Sequence, residues 1–224
     1  MNIINTLLIG FGLGIKHAVE ADHVAAVSTF SARTHSFKRS VLTGVAWGVG
    51  HTSILLLVGL IILVLQINIP EKLSMIFELG VGLMLIYLGI CNIRMKDIIH
   101  AHSHHHDVST HSHKHFHTKE PRGYLSSFIV GSIHGLAGSG SFMLIILSDI
   151  NNLTTGLAYI LIFGLGSIGA MALMSFIISI PVIITSQALN KIEYYIRIIS
   201  GLISTVLGCY IIYEIGFVEG LFIL

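Results

Sequence analysis

Six long apolar runs constrain the fold of this chain more than any other feature of its sequence. Each run is long enough to cross about 30 Å of hydrocarbon as one α-helix. The composition agrees with this, because 54% of the 224 residues are hydrophobic and only 10% are charged. We therefore predict an all-α integral membrane protein with six transmembrane helices. The predicted helices cover residues 2–29, 41–66, 72–93, 124–148, 154–182 and 193–214.

Basic residues predict the orientation of these helices. Lysines and arginines collect in the connections after the first, third and fifth helices, whereas Lys72 alone lies on the other side. The positive-inside rule places these connections in the cytoplasm and both chain termini outside. The basic set is Arg33, Lys38, Arg39, Arg94, Lys96, Lys114, Lys119, Arg122, Lys191 and Arg197. An acidic rim of Glu71, Asp149, Glu214 and Glu219 then faces outward, where it would concentrate cations or simply mark the helix ends.

The chain also repeats itself. Short stretches of the first three predicted helices recur in the last three, in the same order and at nearly one offset. Because three helices is an odd number, two such halves must lie in opposite orientations. We predict two inverted three-helix repeats, residues 1–93 and 124–224, joined by residues 94–123, with a site between them near the midplane. The matches are Gly14-Ile-Lys-His17 with Gly131-Ser-Ile-His134, Trp47-Gly-Val-Gly-His51 with Phe163-Gly-Leu-Gly-Ser167, and Gly82-Leu83 with Gly201-Leu202.

Four ionisable residues interrupt the first apolar run, namely His17, Glu20, Asp22 and His23. Each costs at least about 2.5–3.5 kcal/mol at a helix centre unless it is paired, wetted or bound. At about 100° per residue, Asp22 lies about 140° away from His17, on the other side from Glu20 and His23. Either Asp22 orients a metal-binding imidazole, or the helix is distorted here. Imidazole with carboxylate suits Ni²⁺, Co²⁺ or Zn²⁺, and interhelical hydrogen bonds between histidines are the alternative.

The same residues carry a family resemblance. His17-x4-Asp22-His23 resembles the signature of the nickel/cobalt transporter family named for its His-x4-Asp-His motif, with Glu20 where an Asp is usual. The stretch Gly50-His51-Thr52 resembles the second motif of that family, a Gly-His-Ser/Thr in the next helix. The stretch from Ile133 to Gly140 resembles the short urease-accessory permease branch.

This resemblance implies uptake of Ni²⁺ or Co²⁺ across the cell membrane of a prokaryote. The metal ion is then a transported substrate, and no permanent cofactor is expected. A metallochaperone or the urease-maturation machinery is an expected partner, an oligomer is allowed, and nucleic acid is not expected. The expected metal ligands are His17, Asp22, His23 and His51.

Four further residues are candidates for the metal or for the groups around it, namely Glu20, His134, Lys16 and Glu78. Lys16 would neutralise a carboxylate of the empty site. Glu78 is matched by Arg197 in the repeat, so a structural ion pair is its simpler interpretation. We expect the centre to lie within the N-terminal half, so that His134 contributes less than His17 or His51.

The connection between the third and fourth helices is rich in histidine. It contains no apolar run, so we predict disorder in the absence of metal. Many imidazoles on a flexible tether form a low-specificity cytoplasmic store for transition metals, and a merely solvated linker is the alternative. The nine histidines are His100, His102, His104, His105, His106, His111, His113, His115 and His117.

Other functions fit parts of the sequence. Nickel or cobalt efflux and a broad-specificity zinc-type carrier are the alternative transport functions. A serine protease would need a serine–histidine pair, and Ser139 and Ser141 lie in the same predicted helix as His134. A membrane hydroxylase would need histidine clusters at a membrane face. For these reasons we expect that the chain is not an enzyme. No phosphate-binding loop for ATP is present, so we expect a gradient or a partner protein to drive transport.

Overall fold

Helices dominate the structure, which is a computed structural model. The helices are α1 (Ile3–Ala18), α2 (Ala21–Ser31), α3 (Phe37–Leu65), α4 (Glu71–Arg94), α5 (Gly123–Leu136), α6 (Leu153–Ser186) and α7 (Asn190–Tyr213). Two strands, β1 (Ile99–His106) and β2 (Ser109–Phe116), lie between α4 and α5, and a π-helical turn at Glu214–Val218 follows α7. The structure describes residues 3–32, 34, 36–65, 70–94, 99–106, 109–116, 123–136, 152–186 and 190–223.

Four of these helices, α3, α4, α6 and α7, are long and apolar enough to cross a membrane. The chain bends by 58° between α1 and α2, and this bent pair adds a fifth span if it is counted as one. The chain is therefore a multi-pass membrane protein, as predicted. The fourth predicted helix, residues 124–148, is described only as far as Leu136, and its remainder lies outside the described residues. The count of six helices stays a prediction.

A break at Val19 and Glu20 divides the first predicted helix into α1 and α2. The N–H of Val19 donates to the carbonyl of Lys16, and the N–H of Glu20 donates to that of His17. These three-residue hydrogen bonds tighten and end α1. Glu20 is extended, with φ −64° and ψ 152°, and α2 begins after it. The sequence left open a distorted helix at this point, and the structure has one.

Apolar side chains cover the outside of the helices, and polar side chains lie inside. Leu57, Leu165 and Val206 are 52%, 59% and 66% exposed, whereas His23 and His51 are fully buried. Ionisable groups in membrane helices face the interior of the bundle because hydrocarbon cannot solvate them. The buried histidines therefore lie in the interior of the bundle, where a membrane protein can accommodate ionisable side chains.

Glycines allow two close helix contacts of the same kind. A Cβ atom on Gly14 of α1 would collide with the backbone carbonyl of Phe163 in α6. A Cβ atom on Gly131 of α5 would likewise collide with the backbone carbonyl of Trp47 in α3. Small residues let membrane helices approach until their backbones touch. Helix α1 therefore packs on α6 in the way that α5 packs on α3, and α3 also packs along α6.

Helices α4 and α7 pack through two glycine pairs. A Cβ atom on Gly208 would lie 2.5 Å from the carbonyl oxygen of Gly82, and one on Gly201 would lie 2.8 Å from that of Gly89. Between the two pairs, the hydroxyl of Ser204 donates to the carbonyl of Leu85 at 2.8 Å. This pair of helices is thus held together along its length.

The histidine-rich connection contains an antiparallel hairpin of β1 and β2. Its register pairs three histidines of one strand with three of the other, His100 with His115, His102 with His113 and His104 with His111. Much of β1 and β2 alternates histidine with smaller residues, and a period of two is typical of strands. Disorder of the segment in the absence of metal stays a prediction.

Candidate metal centre

Four buried histidines meet at the break between α1 and α2. His17 lies in the last turn of α1, and His23 lies in the first turn of α2. His51 lies midway along α3, and His134 lies near the end of α5. None of the four is more than 3% exposed. The break therefore gathers imidazoles from four helices inside an apolar bundle.

Three of these histidines form a group that could hold a metal ion. His17, His23 and His51 each offer a nitrogen within 4.8 Å of the nitrogens offered by the other two. The Nε2 atoms of His17 and His51 are 3.1 Å apart. The rings of His17 and His23 lie edge to face, with centroids 4.4 Å apart. Three converging imidazoles suit Zn²⁺, Ni²⁺ and related ions.

Two of the imidazoles each donate a hydrogen bond to a neighbouring carboxylate. His17 Nδ1 donates to Glu20 Oε2 at 2.8 Å, and His23 Nδ1 donates to Asp22 Oδ1 at 3.0 Å. A hydrogen bond from Nδ1 to a carboxylate fixes the tautomer and leaves Nε2 to face a metal. Glu20 and Asp22 are thus placed to orient histidines, which is the first of the two roles the sequence left open for Asp22.

Asp22 also contacts a histidine of the C-terminal half. Its Oδ2 accepts a hydrogen bond from Nε2 of His134 at 2.8 Å. The rings of His134 and His23 have centroids 4.0 Å apart. Asp22, His23 and His134 form a second group whose candidate ligand atoms lie within 4.8 Å of one another. The two groups share His23.

Several ring nitrogens of the centre are buried without a partner. Among the described residues, His23 Nε2, His51 Nδ1 and His134 Nδ1 have no hydrogen bond. An unsatisfied buried donor or acceptor costs about 1–3 kcal/mol. A bound cation would use the lone pairs of such nitrogens. The donor set therefore fits a divalent transition metal.

Aromatic rings close the centre on two sides. Trp47 is stacked on His23, with ring centroids 6.2 Å apart and an interplanar angle of 11°. Phe163 lies 5.6 Å from His17, centroid to centroid. The sequence interpretation used these residues only as markers of the repeat and missed this role. The available signal was that Trp47 lies four residues before His51, on the same face of a helix.

The other candidate residues lie around the centre at different depths. Lys16 is exposed, although its neighbour His17 is buried, so its neutralising role stays a prediction. Glu78 is partly buried in α4 and accepts a hydrogen bond from the Ser74 hydroxyl at 3.5 Å. Its pairing with Arg197 also stays a prediction. The loop histidines from His100 to His115 are described as backbone only, and His117 lies outside the described residues.

Comparison with known proteins agrees with a membrane protein of this architecture. Residues 49–210 match the family model "Cytochrome C biogenesis protein transmembrane region". That match begins after α1 and α2, so it leaves out His17, Asp22 and His23. No solved structure matches the chain.

Two relatives indicate which family of membrane proteins the chain belongs to. The chain is 40% identical over 222 residues to "Urease accessory protein UreH" of Bacillus sp. (strain TB-90), covering 99% of this chain and 96% of that protein. It is 32% identical over 79 residues, 35% of this chain and 22% of the other, to "High-affinity nickel transport protein" of Cupriavidus necator. The chain therefore belongs to the family of the urease accessory protein UreH, as the resemblance predicted. One relative is named as an accessory protein and the other as a transport protein, in agreement with the prediction that this chain is not an enzyme.

Proposed function

We propose that this protein carries a divalent transition metal ion, Ni²⁺ or Co²⁺, into the cell. The substrate binds at a centre formed by His17, Asp22, His23 and His51. The observation that carries this proposal is the convergence of three buried imidazoles, two of them held by carboxylates, at a helix break inside the membrane bundle. A nickel transport protein among the relatives supports the choice of metal.

The alternative of hydrogen bonds between histidines explains less of the geometry. It accounts for the contact between His17 and His51 at 3.1 Å. It leaves His23 Nε2 and His134 Nδ1 buried without partners. A cation satisfies such nitrogens and also explains why two carboxylates lie behind the imidazoles. Metal binding is therefore the better account of the centre.

Uptake is the favoured direction. A membrane potential that is negative inside draws a divalent cation inward with about 4.6 kcal/mol at about 100 mV. The acidic rim would collect cations at the outer mouth. Efflux and broad-specificity transport of zinc-type ions are the alternatives that a transport assay must separate.

Two inverted repeats, residues 1–93 and 124–224, would supply the moving parts. Their helix contacts support this, because Gly14 against Phe163 and Gly131 against Trp47 are matched positions of the repeat. Transporters built from inverted repeats bind substrate between the halves and rock one half against the other. The centre, with ligands from one half and His134 from the other, has the position that this mechanism requires.

The hairpin in the connecting residues 94–123 would store metal on the cytoplasmic side. The register aligns three histidines of one strand with three histidines of the other, so both strands would contribute to this store. From this store, an ion would pass to a metallochaperone or to the urease-maturation machinery.

Uptake into proteoliposomes tests the proposed function. Liposomes containing the wild-type protein should accumulate Ni²⁺ or Co²⁺ in preference to Zn²⁺ when the interior is negative, and the His17→Ala variant should not. His35→Ala is the matched control, because His35 is the remaining histidine outside the centre and the connecting loop. Wild-type flux in His17→Ala would overturn the proposal. A preference for Zn²⁺, or accumulation only with the potential reversed, would select one of the two alternatives.

A further inference from the structure

We propose that the ion occupies two adjacent positions in the centre and that His134 is a ligand of the second. This inference rests on the proposed function and adds a step to it. The first position is the group of His17, His23 and His51. The second is the group of Asp22, His23 and His134. His23 belongs to both, so it stays bound while the other ligands are exchanged.

The grouping of ligand atoms supports two positions. Within each group the candidate ligand atoms lie within 4.8 Å of one another. The ring of His23 lies between those of its partners, with centroids 4.4 Å from His17 and 4.0 Å from His134. The rings of His51 and His134 are farther apart, at 6.1 Å. A short shift past His23 therefore takes an ion from one group to the other.

The first position leaves His134 unexplained. This side chain is fully buried, and its Nδ1 has no hydrogen-bond partner among the described residues. A residue that only oriented Asp22 would need one donor, which Nε2 already supplies at 2.8 Å. A buried imidazole with a spare nitrogen beside a carboxylate is suited to ligate a metal ion.

The two positions differ in where their ligands come from. The first is built from α1, α2 and α3 alone. The second takes His134 from α5, which belongs to the other proposed half. Moving from the first to the second position therefore transfers the ion to the boundary between the halves. The exchange also replaces two imidazoles by one imidazole and one carboxylate.

Substitution of His134 should therefore separate binding from transport. Glutamine can donate its amide N–H to Asp22, so His134→Gln keeps that hydrogen bond and removes the imidazole. We expect His134→Gln to bind Co²⁺ within about threefold of wild type while its uptake rate falls by at least about tenfold. His51→Gln is the comparison variant, since it removes a ligand of the first position only.

The single tryptophan of the chain reports binding in the full-length protein. Trp47 is stacked on His23, so quenching of its fluorescence by Co²⁺ measures occupancy of the centre and not of the histidine-rich loop. His51→Gln should weaken this quenching titration by about 10–100-fold, and His134→Gln should not. Uptake is measured in proteoliposomes at matched protein content, with size-exclusion profiles as the check of folding.

Four outcomes would overturn the inference. Wild-type uptake in His134→Gln shows that no second position is needed. A loss of binding equal to that of His51→Gln shows one site that includes His134. If His134→Gln does not fold, His134→Cys provides the test, because a thiolate keeps a metal ligand there. Uptake by His134→Cys no better than by His134→Ala then refutes a ligand role. Unchanged binding in His51→Gln would instead refute the first position, and with it the proposed function.

Discussion

Helices α3 and α6 each pack closely against a glycine of a neighbouring helix. The contact is made by the backbone carbonyl of Trp47 in α3 and by that of Phe163 in α6. Four residues further along, α3 carries His51 and α6 carries Ser167. His51 reaches the ring of His17, with the two Nε2 atoms 3.1 Å apart. Ser167 instead donates its hydroxyl to the backbone carbonyl of Gly14 at 3.0 Å.

This difference separates the packing of the helices from the proposed metal binding. The glycine contacts occur at both α3 and α6, and each involves a backbone carbonyl. At the matched positions, α3 carries an imidazole and α6 carries a serine. The serine hydroxyl donates a hydrogen bond to the backbone. Substitutions should therefore divide into those that affect transport and those that affect stability.

The largest effect on transport is expected at His23, the residue that both proposed positions share. We predict that His23→Ala lowers Ni²⁺ or Co²⁺ uptake by at least about a hundredfold, because the loss of a single orienting group alone costs about 10–100-fold. Proteoliposome flux at matched protein content measures this, with His35→Ala as the control. A His23→Ala flux equal to that of His35→Ala would contradict a metal centre here.

Exchanging the matched residues of α3 and α6 tests the comparison directly. His51→Ser gives α3 the residue of α6, and we predict about 10–100-fold weaker Co²⁺ binding by Trp47 fluorescence. Ser167→Ala should leave binding unchanged and cost about 0.5–1.5 kcal/mol of stability through the lost hydrogen bond. Weaker metal binding in Ser167→Ala would mean that the second half takes part in the first position.

The glycine contacts should be equally sensitive on both sides. Gly14→Ala and Gly131→Ala each force a methyl group against a carbonyl, and overpacking of this kind costs about 1–3 kcal/mol. Thermal unfolding in detergent measures the loss. Gly12→Ala is the matched control, because nothing lies within 4 Å of a Cβ at Gly12. Sensitivity at Gly14 alone would count against two equivalent halves.

The smallest effect on transport is expected from the histidine-rich segment. Deleting residues 100–117 should leave uptake within a few-fold of wild type, because the segment lies outside both proposed repeats. The number of metal ions bound per chain should fall, as measured by elemental analysis of the purified protein. Complete loss of uptake in the shortened protein would show that the segment is part of the transport path.

Much of the centre could be predicted from local spacing. The spacing from His17 to His23 identified four polar residues of one apolar run, and the resemblance to a family motif added the imidazole of His51 from the next helix. These assignments compare residue types along single helices and, for His51, rest on that resemblance. They do not depend on how the helices pack.

The remaining features depend on tertiary structure. No proline or glycine marks Val19 or Glu20, so local residue types do not indicate where α1 ends and α2 begins. Gly14, three residues before His17, allows a close contact with α6 that no local pattern predicts. The hydrogen bond between Asp22 and His134 joins residues far apart in sequence, and only the docking of α5 brings them together.

The break at Val19 and Glu20 also has an electrostatic consequence. A helix carries about half a positive charge at its N-terminus and half a negative charge at its C-terminus. The break therefore brings the C-terminal end of α1 and the N-terminal end of α2 to the same depth. The carbonyl end of α1 lies beside His17, where partial negative charge favours a cation. The amide end of α2 lies beside Asp22, where partial positive charge favours an anionic side chain. One interruption of the helix thus creates electrostatic fields of both signs within an apolar bundle.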